Sequence, residues 1–251
     1  MTYRAAFFIL SVTAAFLCII QLPVAELLVL VFAEDLADVL EKLILGSFVI
    51  WASLILSEKM GISRLGGFTN PSPGNYGLIL IPFIYPGIFA LTNPSVSSFL
   101  PMVLAVHIIR GLCEEVVYRG IILGYLRKHE ALSVHAGISI TALIFSCSHA
   151  VNFIYLDAVS VVCQLLYAFY MGLLFGVLLH FTNNVWLLGI CHGILNHLFS
   201  AKGSAVNEIV NHGSLFSEEA IRQVLLFAVI FSPVLLIYLW LLKKLKTNSS
   251  R

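Results

Sequence analysis

Residues 158–181, AVSVVCQLLYAFYMGLLFGVLLHF, form a run of 24 residues without an aspartate, glutamate, lysine or arginine. At a rise of 1.5 Å per residue, a helix of this length extends about 36 Å, which exceeds the roughly 30 Å hydrocarbon core of a bilayer. The run lacks the alternation of polar and apolar residues that a membrane β-barrel strand shows. It therefore predicts a membrane-spanning helix.

The rest of the chain has the same apolar character. Of 251 residues, 60% are hydrophobic and 11% are charged, whereas a soluble domain has about 25% charged residues. The abundance of Leu, Ile, Val and Phe excludes a disordered chain. The 14 lysines and arginines against 13 acidic residues leave no basic surface for nucleic acid. The composition predicts an all-α, polytopic integral membrane protein.

Eight stretches of the chain are apolar enough to be transmembrane helices. They predict a single membrane-embedded domain over residues 1–251, with a turn-rich loop, GGFTNPSPGNYG, at residues 66–77. In chain order the stretches are roughly Ala5–Phe32 (interrupted by Pro23), Leu43–Ser57, Tyr76–Thr92, Ser97–Leu126, Ala131–Phe153, Ala158–Phe181, Val185–Ser200 and Ile221–Leu242.

Lysines and arginines are distributed unequally between the two sides of such a bundle. If the N-terminus is cytoplasmic, only Lys42, Lys202 and Arg222 fall on the far side. Because cytoplasmic loops are rich in lysine and arginine, this distribution predicts that both termini are cytoplasmic. The residues on the cytoplasmic side are Arg4, Lys59, Arg64, Arg127, Lys128, Lys243, Lys244, Lys246 and Arg251.

Ionisable residues inside the predicted spans collect in three segments. These are RGLCEEVVYR at 110–119, FSCSH at 145–149 and HGILN at 192–196. A charged side chain in hydrocarbon costs about 2.5–3.5 kcal/mol on insertion scales, so such residues pair with one another or face a wet cavity. We therefore expect the three segments to meet in the folded protein.

Helical spacing predicts two ion pairs in the first segment. Arg110 and Glu114 are four residues apart and share one helix face. Glu115 and Arg119 are also four residues apart, on a face rotated by about 100°. The helix can therefore present one carboxylate inward and hold the other in an ion pair.

These side chains have a structural and a functional interpretation. A single intramembrane histidine or asparagine often only bonds neighbouring helices together. Helix packing alone does not require two adjacent glutamates with two arginine partners and two histidines on other helices. Proton relays and hydrolytic sites do need such groups. We therefore interpret the three segments as a functional site.

The three segments resemble the motifs of a known family. EEVVYR at 114–119 matches EExxxR, FSCSH at 145–149 matches FxxxH, and HGILN at 192–196 matches HxxxN. Together these motifs mark the CAAX prenyl protease and bacteriocin-processing family of intramembrane endopeptidases, which includes the Ras-converting type prenyl protease. The resemblance implies a catalytic core in helices 4–7, within residues 110–200.

The resemblance also implies a role for each carboxylate. In that family the first glutamate and the first motif histidine activate a water molecule, and these positions are Glu114 and His149. The second glutamate and the arginine form a supporting ion pair, here Glu115 with Arg119. The expected reaction is the hydrolysis of a peptide bond.

The last motif implies an oxyanion site made by His192 and Asn196. The two side chains are one helical turn apart, so the imidazole and the amide can direct two donors at one spot. Such donors are needed where negative charge develops on the carbonyl oxygen, and loss of one typically costs about 10²–10³ in rate.

Zinc is the alternative to a metal-free glutamate mechanism. Glu114, His149 and His192 are a His₂Glu set of the kind that holds catalytic zinc. The HExxH motif of helical zinc proteases is absent, and the five cysteines lack CxxC spacing. We favour a mechanism without a cofactor and keep zinc as the competing hypothesis.

The expected substrate is a membrane-anchored or lipidated protein or peptide, met within the lipid bilayer. Short loops and the KKLK tail at 243–246 favour a prokaryotic cytoplasmic membrane. The competing function is a non-proteolytic membrane transporter or regulatory scaffold that uses the same buried polar network. A transporter would respond to a proton gradient and release no peptide product.

If Arg127 marks the membrane boundary, counting residues along the helices places Glu114 and His149 at different depths in the bilayer. Glu114 lies about 20 Å from that boundary and His149 about 30 Å, so tilt or a broken helix is needed to bring them together. Secondary candidates for lining the site are His107, Asn152 and Asp157.

Overall fold

The structure, a computed structural model, describes residues 1–69, 73–84, 101–130, 132–200 and 217–249. In these ranges all regular secondary structure is helical, which confirms the predicted all-α class. The α-helices are α1 (Tyr3–Ile20), α2 (Val24–Leu28), α3 (Glu34–Lys59), α4 (Pro101–Glu115), α5 (Gly124–His129), α6 (Val134–Ser148), α7 (Ala158–Thr182), α8 (Val185–Ser200) and α9 (Glu218–Ser249).

Three further helical segments have other geometries. A 3₁₀ helix covers Pro73–Phe83, and another, His149–Ile154, follows α6 directly. A π-helix over Val116–Leu123 joins α4 to α5 without a break, so residues 101–129 form one continuous central helix. π-Helical turns occur frequently at functional sites.

Five helices in the described part of the chain are long and apolar enough to cross a membrane, and α8 is a shorter apolar helix. The predicted fourth span is the central helix, which carries the charged motif. The predicted third span, Tyr76–Thr92, is not seen as a long α-helix: its described part is mostly the 3₁₀ helix, which contains Pro82, and its remainder lies outside the described residues. The five helices are Tyr3–Leu28, Leu36–Lys59, Val134–Ile154, Ala158–Thr182 and Ala220–Leu245.

The start of α1, the end of α3 and the end of α5 lie at the same end of the bundle. The hydroxyl of Thr2 donates to a carboxylate oxygen of Glu130 at 2.7 Å. The ammonium of Lys128 donates to the carbonyl oxygen of Met60, also at 2.7 Å. These bonds connect the first turn of α1 and the turn after α3 to the end of the central helix and to Glu130, which follows it.

The end of α7 lies at this end too, because the side chain of Asn183, directly after α7, donates to the carbonyl oxygen of Thr69 in the turn after α3 at 3.2 Å. The last turn of α9 lies beside it, since Lys244 lies 6.0 Å from the centre of the Phe181 ring. Lys42 and Arg222 lie near the starts of α3 and α9, at the opposite end. We call the first end the basic end. Its described lysines and arginines are Arg4, Lys59, Arg64, Arg127, Lys128, Lys243 and Lys244.

The turn after α3 inserts deeply between the helices. A Cβ atom on Gly66 would lie 2.3 Å from the carbonyl oxygen of Gly120 in the π-helix, and the ring of Phe68 covers Gly120. The backbone N–H of Val185 donates to the carbonyl of Gly67 at 3.0 Å, so α8 starts well inside the bundle. The sequence predicts a turn-rich loop here but not its burial.

Helices α4 and α8 approach each other backbone to backbone. A Cβ atom on Gly193 would lie 2.4 Å from Cα of Ile108, and one on Gly111 would lie 2.4 Å from the nitrogen of Gly193. Small residues allow such close contact between membrane helices. The contact brings the middle of α8, including His192, next to the paired glutamates of α4.

We expect Gly193→Ala to reduce the stability of the protein by about 1–3 kcal/mol, because the added methyl group overpacks the contact between α4 and α8. Thermal unfolding in detergent measures this loss. Gly77→Ala is the matched control, since a Cβ atom there meets nothing within 4 Å. Equal midpoints for the two variants would contradict the close approach of the helices.

Candidate active site

Both predicted ion pairs are present at the end of α4. Nε of Arg110 lies 3.3 Å from Oε1 of Glu114, and Nη1 of Arg119 lies 3.1 Å from Oε1 of Glu115. The two pairs differ in exposure: the side chains of Glu115 and Arg119 are completely buried, whereas that of Arg110 is 58% exposed. One carboxylate is thus enclosed with its partner, and the other is held by an arginine that reaches outward.

His192 of α8 joins the two pairs. Its Nδ1 lies 2.8 Å from Oε1 of Glu115, and its Nε2 lies 3.4 Å from Oε2 of Glu114. Two guanidinium groups, two carboxylates and one imidazole therefore form a continuous chain, which we call the ion network. Its members, in order of contact, are Arg110, Glu114, His192, Glu115 and Arg119.

Asn196 is on α8 one turn after His192, as the sequence indicates. Both ring nitrogens of His192 face carboxylates, so the imidazole is turned toward α4. The side chain of Asn196 makes no hydrogen bond with another described residue, and it does not line the cavity described below. The structure thus brings His192 to the glutamates without forming the donor pair that the sequence predicts.

A small cavity opens beside Glu114, and His149 lines it as well. Nδ1 of His149 lies 2.9 Å from the carbonyl oxygen of Phe145. An imidazole whose Nδ1–H donates to a carbonyl carries its lone pair on Nε2. The lining residues are Phe16, Leu17, Ile20, Gln21, Arg110, Glu114, Tyr118, Phe145, Ser148, His149, Val151 and Asn152.

The helix boundaries explain how Glu114 and His149 reach the same depth. Helix α6 begins only at Val134, so the 15 residues to its end span about 22 Å from the basic end. Glu114 precedes Arg127 by 13 residues, or about 20 Å. The larger depth of His149 in the sequence analysis was wrong because it counted the connection between the helices as helix.

Phe145 separates the two halves of the site. Its ring packs edge-on against His149, with centroids 4.8 Å apart, and against His192 at 5.9 Å. The guanidinium carbon of Arg119 lies 4.4 Å from the ring centre, within the range of a cation–π contact. The first motif residue of FSCSH therefore covers the buried ion pair and supports both imidazoles.

Two contributors to the cavity were missed from the sequence. Tyr118 is fully buried and lines the cavity four residues after Glu114, a spacing that could have identified it. Gln21, at the end of α1, also lines it. Because α1 lies far from the motifs in sequence and carries no motif of its own, no local signal indicates its contribution.

The secondary candidates occupy different places. Asn152 lines the cavity and donates to the side chain of Gln164 at 2.7 Å. His107 packs against His197 of α8, with ring centroids 5.5 Å apart. Asp157 caps the start of α7. Of the three, only Asn152 is part of the cavity wall.

Glu114, His149 and His192 do not fit a zinc ion as they are placed. A zinc site needs ligand lone pairs that converge on one point, but both nitrogens of His192 are directed at carboxylates. Within the ranges that the structure describes, no group of three or more His, Cys, Asp or Glu side chains could hold a metal ion. The arrangement is that of an ion network around an imidazole.

The fold and the site together define a polytopic helical membrane protein with carboxylates and imidazoles beside a cavity among its helices. Residues 96–198 match a family model described as "Type II CAAX prenyl endopeptidase Rce1-like". This part of the chain, which carries all three motifs, is therefore similar to the CAAX prenyl protease family, as the motifs predict, and the match supports an intramembrane CAAX-type endopeptidase in general. No curated protein and no solved structure matches the chain.

The unequal burial of the two ion pairs predicts unequal effects of their removal. Arg119→Gln leaves Glu115 without its cation in the core and should destabilise the protein by about 3–5 kcal/mol. Arg110→Gln removes a solvent-exposed cation while His192 still contacts the buried Glu114, so it should cost less, about 1 kcal/mol. Thermal unfolding of both variants in one detergent measures the difference. Similar losses would show that the two pairs are equivalent.

Proposed function

We propose that this protein is an intramembrane endopeptidase that hydrolyses a peptide bond in a membrane-anchored or lipidated protein or peptide. Glu114 and His149 activate the attacking water. The observation that carries the proposal is that both side chains line one cavity, although they come from different helices. The family match over residues 96–198 supports the same class of reaction.

The ion network holds Glu114 ready to act as a general base. Arg110 contacts one of its carboxylate oxygens and His192 the other. Water attacks the carbonyl carbon while its proton passes to Glu114, and this proton reaches the leaving nitrogen when the C–N bond breaks. His149 hydrogen-bonds the same water through Nε2, the nitrogen left free by its bond to the backbone.

We assign stabilisation of the oxyanion to His192 and Asn196, which the family motif places one turn apart. Of the two contacts of His192, that between Nε2 and Glu114 is longer, at 3.4 Å, and the one between Nδ1 and Glu115 is 2.8 Å. The weaker contact is the one exchanged for the oxyanion. Glu115, anchored by Arg119, keeps the ring oriented.

We place the protein in a prokaryotic cytoplasmic membrane as one domain over residues 1–251. The gathering of lysines and arginines at the basic end supports a cytoplasmic location of that end. Thr2 and Lys244 both lie there, which supports cytoplasmic termini.

We expect Glu114→Gln to abolish cleavage, with a loss of at least about 10²-fold, because the amide cannot accept the proton from water. Proteomics of membrane-associated peptides from cells with wild-type or variant protein reads the outcome. Glu58→Gln, at an exposed glutamate of the basic end, is the control and should keep the product peptides. Products that persist in Glu114→Gln would refute the proposal, and proton-coupled transport without any product would favour the transporter.

The proposed mechanism uses no metal, so we expect the purified protein to cleave its substrate after dialysis against a chelator. Elemental analysis of the active fraction should find less than one zinc per chain. Activity that disappears on chelation and returns with added zinc would instead assign the mechanism to a metal. Glu114→Gln, assayed in parallel, separates true cleavage from that of a contaminating protease.

A further inference from the structure

Tyr118 is a residue of the cavity wall that the mechanism above does not use. It lies in the π-helix, four residues after Glu114, and its side chain is fully buried. Its ring packs edge-on against that of Phe145, with centroids 5.0 Å apart, and against that of Phe16 at 5.8 Å. Aromatic contacts with α6 and α1 therefore fix the position of the phenol ring.

The central helix directs this phenol toward Glu114. Side chains on a helix lean toward its N-terminus and cover the preceding turn, which here is the turn that carries Glu114. The phenol and the carboxylate are close enough to interact electrostatically. Both line the cavity together with His149. The tyrosine is thus next to the two side chains to which we assign the attacking water.

The hydroxyl of Tyr118 is buried, and no described residue forms a hydrogen bond with it. Ser148 is its neighbour, but the hydroxyl of Ser148 donates to the carbonyl oxygen of Phe145 at 2.7 Å. A buried hydroxyl without a partner costs free energy that a phenylalanine at the same position would avoid. Packing alone would favour phenylalanine, so the hydroxyl indicates a function.

We propose that the hydroxyl of Tyr118 donates a hydrogen bond to the attacking water, which makes Tyr118 a further catalytic residue. In the mechanism above, the water directs one proton at Glu114 and the other at Nε2 of His149. The hydroxyl of Tyr118 then occupies one lone pair of the water oxygen. The second lone pair is left to attack the carbonyl carbon.

This role differs from that of His192 and Asn196, which we assign to the carbonyl oxygen. The hydroxyl of Tyr118 acts on the nucleophile, because a water whose orientation is fixed on three sides loses less freedom when it attacks. The inference rests on the proposed function, since it adds a residue to the same reaction.

Tyr118→Phe tests the inference because it removes the hydroxyl and keeps the ring. The readout is the set of membrane-associated peptides that appear with the wild type and not with Glu114→Gln, normalised to the amount of protein in the membrane. We expect these peptides to accumulate at least about tenfold more slowly, the effect of one hydrogen bond lost from the transition state. The unfolding midpoint in detergent should equal that of the wild type or rise, since an unpaired buried hydroxyl is gone.

Tyr125→Phe is the matched control. It makes the same change on the same helix, where the ring stacks on Phe8 with centroids 4.3 Å apart and does not line the cavity. We expect this variant to accumulate the peptides at the wild-type rate.

The possible failures are distinguishable. Wild-type accumulation in Tyr118→Phe would overturn the inference and leave the protease standing. Slower accumulation together with a lower unfolding midpoint would also overturn it, because that combination assigns the hydroxyl to the stability of the fold. If the wild type and Glu114→Gln yield the same peptides, the proposed function fails and the role of Tyr118 fails with it.

Discussion

Two adjacent carboxylates among membrane helices must be compensated, and much of the structure around Glu114 and Glu115 follows from this requirement. A buried charge without a partner destabilises a protein by several kcal/mol. Each glutamate has an arginine four residues away, Arg110 before the first and Arg119 after the second. The central helix therefore neutralises its own acids, and His192 can approach from α8 without having to supply the compensating charge.

The imidazole can reach both acids only because the helix backbones touch. A side chain on Gly111, Gly189 or Gly193 would collide with the facing helix. Gly193 directly follows His192, so the closest approach of the backbones and the bridge between the carboxylates occur at the same level. Packing and electrostatics thus depend on each other, because a wider separation of the helices would break the contacts of His192.

The parts of the site that the sequence could predict are those determined by local spacing. The pairs Arg110–Glu114 and Glu115–Arg119 follow from the helical repeat, and the motifs correctly indicated that three helices meet. The π-helix, the inserted turn at Gly66 and the contribution of Gln21 depend on contacts between distant parts of the chain. The helical repeat alone also could not show which way the ring of His192 turns.

The difference in exposure between the two arginines gives the two adjacent glutamates different chemistry. Arg119 is enclosed under Phe145, so Glu115 has no route to a new partner and can only orient His192. Arg110 is more than half exposed, so its contact with Glu114 is weak enough to be exchanged when water or a peptide enters the cavity. Under the proposed function, two identical side chains that follow each other in sequence are thereby divided between a fixed role and a reactive role. The division arises because one residue faces packed helices and the other faces the cavity.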